Sequence, residues 1–476
     1  MLQIGSWTLG LGLVMLLPLA VALVSGEGRA ISGFTGGVTL TLLIGGSMVL
    51  GFRGARMQRL PVLTVLLPLF GCLLLAMVAG LPLYLIHDRL DLAGAFFDGM
   101  ALVTTHGASS LAGIGPDAMP GTAERLWRAL VGWLGGFAAI TLALSFLTVI
   151  NSGGVQLRRS PLPFGDTMAG YPRLRAAARH LAPLYAGVTA LTVLLLLLAG
   201  MAPERALLTA LSAVSTTGLD WAAPLADDGV FVAVVVSAVM LLAVSNWDML
   251  YVMLSGHRRG RRDQERRTLA VSVLAGTALL LLAGGAVSMP DVARALFKVI
   301  SAISTTGWMP PGAAPAGQDY LPVALVLMAL AAIGGAVTGT GGGLRQMRLY
   351  LVLRLAFSEL NRLAHPSGIH RLHYDQNEVE PGDSGAVWLL IGGFILAFVT
   401  GTLALGMFGV HFQDAILLSF SALTLSGPLV AGIDPGFVGF DGLTAPDHVI
   451  LGVLMMVGRL EASLVLALFA RALWRS

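Results

Sequence analysis

The sequence predicts an all-α integral membrane protein: four pseudo-symmetric helix/pore-loop/helix repeats around one pore, preceded by two extra N-terminal transmembrane helices. Three observations predict this fold class. The 476-residue chain is 56% hydrophobic and 12% charged, with a mean hydropathy of +0.82, values that a water-soluble surface could not sustain. Apolar runs of about 18 residues or more, enough to cross a bilayer, recur along the chain. These runs come in pairs, and a polar stretch that ends in glycine recurs between the two runs of a pair.

Two apolar runs, near residues 7–24 and 36–52, begin the chain. A cleaved signal peptide has a positive amino-terminal region, and no basic residue precedes the first run, so we interpret it as a retained span. Three arginines between residues 53 and 59 follow the second run and mark the cytoplasmic side. Residues 1–59 are therefore predicted to form the two N-terminal transmembrane helices.

Four units with a common pattern follow these two helices. Each has a long apolar run, a shorter semi-polar stretch that ends in Ser, Thr and Gly, and a second long run. Such an internal repeat dictates the architecture. The pore repeats are predicted at residues 60–179, 180–267, 268–383 (with the glycine-rich segment described below) and 384–476, which would give ten spans in all.

The arginines test this topology, because the loop after each second run should be cytoplasmic and basic. Residues 158–179 carry five arginines and residues 256–267 carry six, whereas residues 408–447 carry four aspartates and no Lys or Arg. Both termini are therefore expected in the cytoplasm. Since orientation in the bilayer accounts for these arginines, we expect no nucleic-acid partner.

The four semi-polar stretches align with one another. Each follows an amphipathic segment too short to span, so we expect a re-entrant helix whose chain turns back within the membrane. The four segments are residues 92–102, 204–213, 292–302 and 412–422. Non-helical backbone at that depth is costly unless it lines a water-filled cavity or is buried in protein. Four such stretches meeting on one axis would satisfy this condition. The aligned residues are Thr104, Thr105, His106 and Gly107; Ser215, Thr216, Thr217 and Gly218; Ser304, Thr305, Thr306 and Gly307; and Thr424, Leu425, Ser426 and Gly427.

These stretches carry the chemistry expected of a cation path. A cation that loses its water needs replacement oxygens, and a Ser/Thr-rich loop with a permissive glycine can present successive carbonyls and hydroxyls to it. Short helices that end there also direct their negative dipole ends toward the ion. One Thr-Thr-Gly would be an ordinary helix end. Four copies at one position predict a filter for potassium or a similar monovalent cation.

A glycine-rich segment interrupts the second run of the third unit and should break the helix there. It lacks the Gly-Lys-Ser/Thr of a phosphate loop and lies inside an apolar run, which excludes that interpretation. A gate and a flexible kink remain as interpretations. The residues concerned are Gly334, Gly335, Thr338, Gly339, Thr340, Gly341, Gly342 and Gly343.

Arg459 lies within the last apolar run, where a charge is costly and is usually functional or paired. Glu461, two residues on, projects from a different face of the helix and is not its obvious partner. Arg459 is therefore either exposed to the ion path, or a snorkelling or salt-bridged arginine.

With these residues the sequence resembles the Trk/Ktr/HKT superfamily of potassium transporters, and within it the bacterial TrkH-type membrane subunit. Residues 126–128 with 132–136, 359–366 and 458–461 also match, and the resemblance covers nearly the whole chain. It implies gated potassium uptake across the bacterial inner membrane, with K⁺ held by backbone carbonyls, the glycine-rich segment as gate and Arg459 below the filter. It also implies a homodimer and a cytosolic regulatory subunit with nucleotide-binding domains.

The chain departs from the pattern of this family at several filter positions. His106 stands where a Thr is usual, and it could respond to protons or simply turn away from the ion path. Asp220 and Trp308 flank the second and third filters, and the fourth keeps Gly427 and Pro428 but lacks the usual Asn before and Gly after. A weakly selective K⁺/Na⁺ channel or a Na⁺-coupled relative therefore stays an alternative.

Other classes of protein find less support in the sequence. An intramembrane enzyme would need a motif such as His-Glu-x-x-His or paired intramembrane aspartates, and neither is present. The one cysteine, Cys72, lies in an apolar run and indicates no disulfide framework. A structural scaffold would not need four filter-like loops. We expect a non-enzyme without an organic cofactor.

Overall fold

A computed structural model of the chain describes residues 2–54, 61–111, 120–146, 171–219, 221, 228–255, 264–284, 288–310, 320–365, 373–374, 377–378, 381–433, 437, 439–440 and 442–460. These residues form helices and one short antiparallel pair, β1 (His373–Tyr374) with β2 (Asn377–Glu378). The helices are α1 (Leu2–Val14), α2 (Leu16–Ser25), α3 (Gly28–Gly51), α4 (Pro61–Ile86), α5 (Leu92–Val103), α6 (Thr122–Phe146), α7 (Tyr171–Leu198), α8 (Pro203–Ser215), α9 (Gly229–Ala243), α10 (Trp247–Leu254), α11 (Gln264–Gly284), α12 (Met289–Ile303), α13 (Tyr320–Ile333), α14 (Gln346–Ala364), α15 (Pro381–Met407), α16 (Phe412–Thr424), α17 (Gly427–Ile433) and α18 (Ala445–Leu460).

The predicted all-helical membrane fold is confirmed. Within the described ranges, seven helical segments are long and apolar enough to cross a membrane, or eight if α9 and α10 count as one span. With α9 and α10 counted as one span, eight of the ten predicted spans are found, and the other two have separate explanations. The glycine-rich segment divides the second run of the third unit into α13 and α14, and the description of the last run ends at Leu460.

Four short helices, α5, α8, α12 and α16, coincide with the segments predicted to re-enter the membrane. The longest, α12, has 15 residues, and at 1.5 Å per residue it reaches only about 22 Å of the roughly 30 Å hydrocarbon core. Three of their starts are fixed locally: the Asp91 carboxylate accepts from the Gly94 N–H at 2.7 Å, Ser288 forms a capping box with Asp291, and Pro203 opens α8.

The helix contacts close into a ring. Three of the short helices lie between the two long runs of their own unit: α5 between α4 and α6, α8 between α7 and α9, and α12 between α11 and α13. Helix α16 lies similarly between α15 and α18. Each unit also touches the second run of the preceding one, through α8 with α6, α12 with α9, α17 with α13, and α5 with α18. The four-repeat organisation stays a prediction, and this packing is what it would produce.

Glycines let the first short helix lie close against its neighbour. A Cβ added to Gly80 of α4 would collide with the Ala95 carbonyl, and one added to Gly99 of α5 would collide with the Ala76 carbonyl. Helices whose exterior faces lipid gain stability from such close backbone approach. The tight α4 and α5 pair therefore fixes the position of the loop that follows α5.

Candidate functional site

Each short helix ends in a loop with the same unusual backbone. We call residues 104–107, 215–218, 304–307 and 424–427 loops 1 to 4. Their second residues, Thr105, Thr216, Thr305 and Leu425, all have left-handed φ values, 62°, 57°, 59° and 60°. This region is rare for bulky or β-branched residues and persists only where the surroundings enforce it. A shared outlier at four aligned positions therefore indicates a shared constraint.

The glycines complete this shared turn in three of the four loops. Gly107, Gly218 and Gly307 also have positive φ, at 78°, 68° and 78°. Gly427 does not, because it is the first residue of α17. Loop 4 therefore turns directly into a helix, whereas the chain leaves the other three loops without one.

Pairs of hydroxyls brace loops 2, 3 and 4 across the left-handed residue. Their oxygens are 2.6 Å apart in loop 2, 2.8 Å in loop 3 and 2.7 Å in loop 4. Loop 1 has no such pair, because its third residue is His106, and Thr104 Oγ1 instead donates to the Met100 carbonyl at 2.6 Å. The paired residues are Ser215 with Thr217, Ser304 with Thr306, and Thr424 with Ser426.

The four loops touch one another in order and close a ring. A Cβ at Gly107 would collide with the Thr217 carbonyl of loop 2, and one at Gly218 with the Thr306 carbonyl of loop 3. A Cβ at Gly307 would lie 2.5 Å from the backbone nitrogen of Leu429, just after loop 4. The Gly427 N–H donates to the His106 carbonyl at 2.9 Å, which joins loop 4 to loop 1. The sixteen predicted filter residues, which make up loops 1 to 4, thus lie together in one ring.

His106 turns into the protein between loops 1 and 4. It is 1% exposed, and its Nε2 lies 3.0 Å from Ser421 Oγ of α16. Its ring faces Phe97 and Phe440, with ring centroids 6.5 and 6.0 Å away, and its Nδ1 finds no hydrogen-bond partner among the described residues. His106 thus bonds loop 1 to α16, whereas the third residue of each other loop takes part in a hydroxyl pair within its own loop.

Trp308 forms a further hydrogen bond near the loops that the sequence did not predict. Its Nε1 donates to the Leu219 carbonyl at 3.1 Å, which connects the residue after loop 3 to the residue after loop 2. The side chain is 1% exposed. The sequence signal was the presence of a Trp directly after a filter glycine. Asp220, the other flanking departure, lies outside the described residues.

A buried charged cluster holds the chain that leaves loop 1. Arg128 of α6 donates from Nη2 to Asp98 of α5 at 2.7 Å and from Nε to Glu124 at 2.9 Å. Asp98 in turn accepts from the Ser110 N–H at 2.7 Å. His87 Nε2 lies 2.8 Å from the other Glu124 oxygen. The Glu124 and Arg128 spacing of four residues was the available sequence signal for this cluster.

The glycine-rich stretch between α13 and α14, residues 334–345, is hydrogen-bonded to backbone groups at the break between α9 and α10. These two helices meet at 101°, which leaves carbonyls at the end of α9 without helical partners. The Ala336 N–H donates to the Val244 carbonyl at 2.8 Å, and the Thr340 N–H donates to the Ala243 carbonyl at 2.9 Å. We call residues 334–345 the cross-segment. The cross-segment therefore satisfies the backbone groups that the bend frees.

The cross-segment also lies directly against loops 3 and 4. The Gly342 N–H donates to Thr305 Oγ1 at 2.8 Å, and a Cβ on Gly342 would collide with the Thr424 carbonyl. A Cβ on Gly341 would come within 2.9 Å of the Ser304 carbonyl. Glycine at these positions is therefore a condition of the contact.

Arg459 links loop 1 to the cross-segment. Its Nε donates to the Thr104 carbonyl at 3.0 Å, its Nη1 to the Thr340 carbonyl at 2.8 Å, and its Nη2 makes a short contact with Thr105 Oγ1. The residue is 8% exposed, and these acceptors are all neutral. Glu461 lies outside the described residues. Arg459 is therefore held inside the protein instead of extending toward the membrane surface.

A second guanidinium lies beside the first. Arg345 Nη1 donates to the Gly341 carbonyl at 2.5 Å and to the Ala336 carbonyl at 3.2 Å, and Arg459 Nη1 lies 3.4 Å from the same Gly341 oxygen. Arginine keeps its charge in proteins. Two fixed positive charges, one from the cross-segment and one from α18, therefore lie where the cross-segment meets the loops. In the described part of the chain, no three His, Cys, Asp or Glu side chains form a metal site.

Comparisons with known proteins find that this chain is similar to potassium uptake proteins. A family model described as TrkH, cation transport protein, matches residues 269–475. The potassium uptake protein TrkH of Salmonella typhimurium is 28% identical over 475 residues, covering 97% of this chain and 96% of that protein. The potassium uptake protein TrkI of Halomonas elongata is 26% identical over 411 residues, 83% of this chain and 81% of that protein.

The fold is also that of a solved structure. The crystal structure of the potassium transporter TrkH from Vibrio parahaemolyticus superimposes with a TM-score of 0.84 at 24% identity, over 99% of this chain and 98% of that chain. At this identity the match establishes the fold. The resemblance expected from the sequence is confirmed.

Proposed function

Because the chain is a homologue of the TrkH-type membrane subunits of the Trk/Ktr/HKT superfamily, we propose that it takes up potassium through a gated pore. The observation that carries this proposal is the closed ring of loops 1 to 4, with a glycine-rich segment and two arginines packed against it. The relatives are named as potassium uptake proteins, which supports a transporter and a non-enzyme.

The ion would be held by backbone carbonyls of the four loops. Two hydroxyls in each of loops 2, 3 and 4 are bonded to each other and brace the turn. The backbone carbonyls would therefore be the oxygens that replace the water of the ion. The short helices ending at the loops direct their negative ends there and would favour a cation. K⁺ is the transported ion in this proposal, and the chain needs no organic cofactor.

The cross-segment would be the gate in its closed position. It is held by the carbonyls of Ala243 and Val244, by Thr305 Oγ1 and by Arg459. Opening would break these bonds and withdraw the segment. The charges of Arg345 and Arg459 would raise the barrier for a cation while the segment stays closed.

The assembly we propose is a homodimer in the bacterial inner membrane with both termini in the cytoplasm. The arginine-rich segments between spans support that orientation. The relatives are named as proteins of a Trk system, and this supports a further component, which we propose is a cytosolic regulatory subunit with nucleotide-binding domains.

A weakly selective K⁺/Na⁺ pore is the second candidate, because two of the four loops differ from the others. Loop 1 has His106 in place of a hydroxyl, and Gly427 of loop 4 lacks the left-handed backbone of the other three glycines. Unequal loops would hold carbonyls at unequal distances from an ion. Discrimination between ions that differ mainly in size would then weaken.

Flux in proteoliposomes decides between the two candidates. Vesicles loaded with K⁺ and containing the purified chain should accumulate ⁸⁶Rb⁺, and external K⁺ should suppress this uptake at lower concentration than Na⁺ or Li⁺. Equal suppression by Na⁺ and K⁺ would favour the weakly selective pore. Uptake no greater than in protein-free vesicles, even in a variant lacking the cross-segment, would refute a pore.

A further inference from the structure

A cavity of about 550 Å³ lies between the bent pair α9 and α10 and the neighbouring α11. Its volume is within the range of ligand pockets, about 300–1,000 Å³. Its wall is mostly apolar and includes Leu241, Leu250, Met253, Leu269 and Val273. Met253 is 59% exposed and Leu274, also in the wall, is 69% exposed. The cavity therefore opens on the outer surface of the helices, where lipid is.

One positive charge lies in this apolar wall. Arg266, in the first turn of α11, is exposed and lines the cavity. Among the described residues its Nη1 contacts the Met253 sulfur at 3.7 Å, and a thioether is only a weak acceptor that cannot neutralise a guanidinium. The sequence places Arg266 at the end of a segment, residues 256–267, with six arginines, which marks the cytoplasmic side.

We propose that this cavity binds an acidic phospholipid, with an acyl chain along the apolar wall and the anionic headgroup on Arg266. An apolar slot open to the bilayer suits an acyl chain, and basic pockets on the cytoplasmic side suit acidic headgroups. A soluble anion would gain nothing from the leucines and methionines. A zwitterionic lipid would leave the arginine charge without a net counter-charge.

The cavity adjoins the contacts that hold the cross-segment. Ser245 and Asn246, at the break between α9 and α10, also line it. Asn246 Oδ1 lies 3.1 Å from Thr338 Oγ1 of the cross-segment. A lipid packed against the break supports the bend in which Ala243 and Val244 present their carbonyls to the cross-segment. Since a ligand shifts an equilibrium toward the conformation it binds better, the bound lipid favours the closed segment. This consequence rests on the proposed function.

Lipid retention by the full-length protein tests the site without ion flux. Native mass spectrometry with added phosphatidylglycerol or phosphatidylcholine should show selective retention of phosphatidylglycerol. Arg266→Gln should reduce it about fivefold, the factor that corresponds to ~1 kcal/mol per basic residue at an acidic membrane surface. Ala270→Phe, which fills the cavity, should also reduce it. Arg267→Gln is the matched control, because Arg267 is exposed but does not line the cavity.

Equal loss in Arg267→Gln and Arg266→Gln would overturn the site, because it would show only general attraction to a basic surface. Equal retention of the two lipids would also overturn it. A dimer that is lost in Ala270→Phe would show that a second copy of the chain occupies the cavity, and would overturn the lipid site as well. Basal ⁸⁶Rb⁺ flux should be lower in phosphatidylglycerol vesicles than in phosphatidylcholine vesicles, and Arg266→Gln should remove the difference. Selective retention with no flux in any variant would refute the proposed pore and leave the lipid site standing.

Discussion

Replacement of Arg459 by Met should raise basal cation flux while the protein stays folded. Met keeps much of the length of the side chain and its packing but removes every hydrogen bond from the guanidinium. The bond to the Thr340 carbonyl, 2.8 Å long, is the shorter of its two contacts with the cross-segment, the other being the 3.4 Å contact with the Gly341 carbonyl. The bond to the Thr104 carbonyl, 3.0 Å long, ties α18 to loop 1.

The size of the effect follows from the Thr340 bond. A hydrogen bond from a charged donor contributes about 1.5–3 kcal/mol, so its loss would shift the ratio of closed to open segment by roughly 10- to 150-fold. Removal of the charge adds to this, by ~1 kcal/mol at 4 Å from the ion in bulk-like water and more where water is scarce. Two bonds from Thr340 to the Ala243 carbonyl remain in the variant, so the segment is loosened and not released.

The assay is ⁸⁶Rb⁺ uptake into vesicles together with the thermal unfolding of the purified variant. We expect uptake to rise about tenfold or more, with a smaller preference for K⁺ over Na⁺ because loop 1 loses its tie. Arg459→Lys is the matched control, because it keeps the charge but cannot reach three acceptors at once. Its uptake should lie between that of the unsubstituted protein and that of the Met variant. Lower uptake in a Met variant of unchanged melting temperature and expression would show that Arg459 stabilises the conducting pore, and would refute this reasoning.

Three further predictions concern the loops and the cross-segment. Gly307→Val should abolish flux without preventing insertion, because it combines an L-residue cost of about 1–2 kcal/mol in the left-handed region with a collision at the Leu429 backbone nitrogen. Gly392→Val is the control, because nothing lies within 4 Å of a Cβ added there. Normal uptake in Gly307→Val would contradict the filter assignment. Deletion of residues 339–342 should raise uptake several-fold, and Gly307→Val added to that deletion should abolish it; unchanged uptake in a folded deletion variant would favour a simple kink. His106→Gln, which can retain the bond to α16, should keep the K⁺/Na⁺ preference measured by competition. His106→Ala loses a neutral bond of ~1 kcal/mol and should reduce that preference up to about fivefold. Identical preferences in both variants would show that His106 does not contribute to the filter.

The short helices and their loops were predictable because their signals are local. Each combines an apolar stretch too short to span with a Ser/Thr segment, and the glycine that ends it permits a left-handed turn. α5, α8, α12 and α16 accordingly begin and end within three residues of the predicted segments. Gly427 was the exception: the sequence aligns it with the other three glycines, but loop 4 continues into α17.

The break between α9 and α10 was not predicted. Residues 229–255, the second run of the second unit, contain no proline and no glycine after Gly229 and were expected to form one span, although the polar Ser245, Asn246 and Asp248 interrupt the apolar run. Helices bend sharply where their carbonyls find other partners. Here those partners are the Ala336 and Thr340 N–H groups, about ninety residues further along the chain.

The sequence by itself determined where the short helices, their loops and the cross-segment would interrupt the long apolar runs, because hydrophobic length and glycine content are properties of single segments. Only the tertiary structure decided which of those segments would satisfy one another. Arg459 was visible as a costly charge, but its acceptors, Thr104 and Thr340, come from two segments more than a hundred residues away. A buried donor must find an acceptor wherever the packing supplies one, and hydrogen bonds between distant segments leave no period or spacing in the sequence.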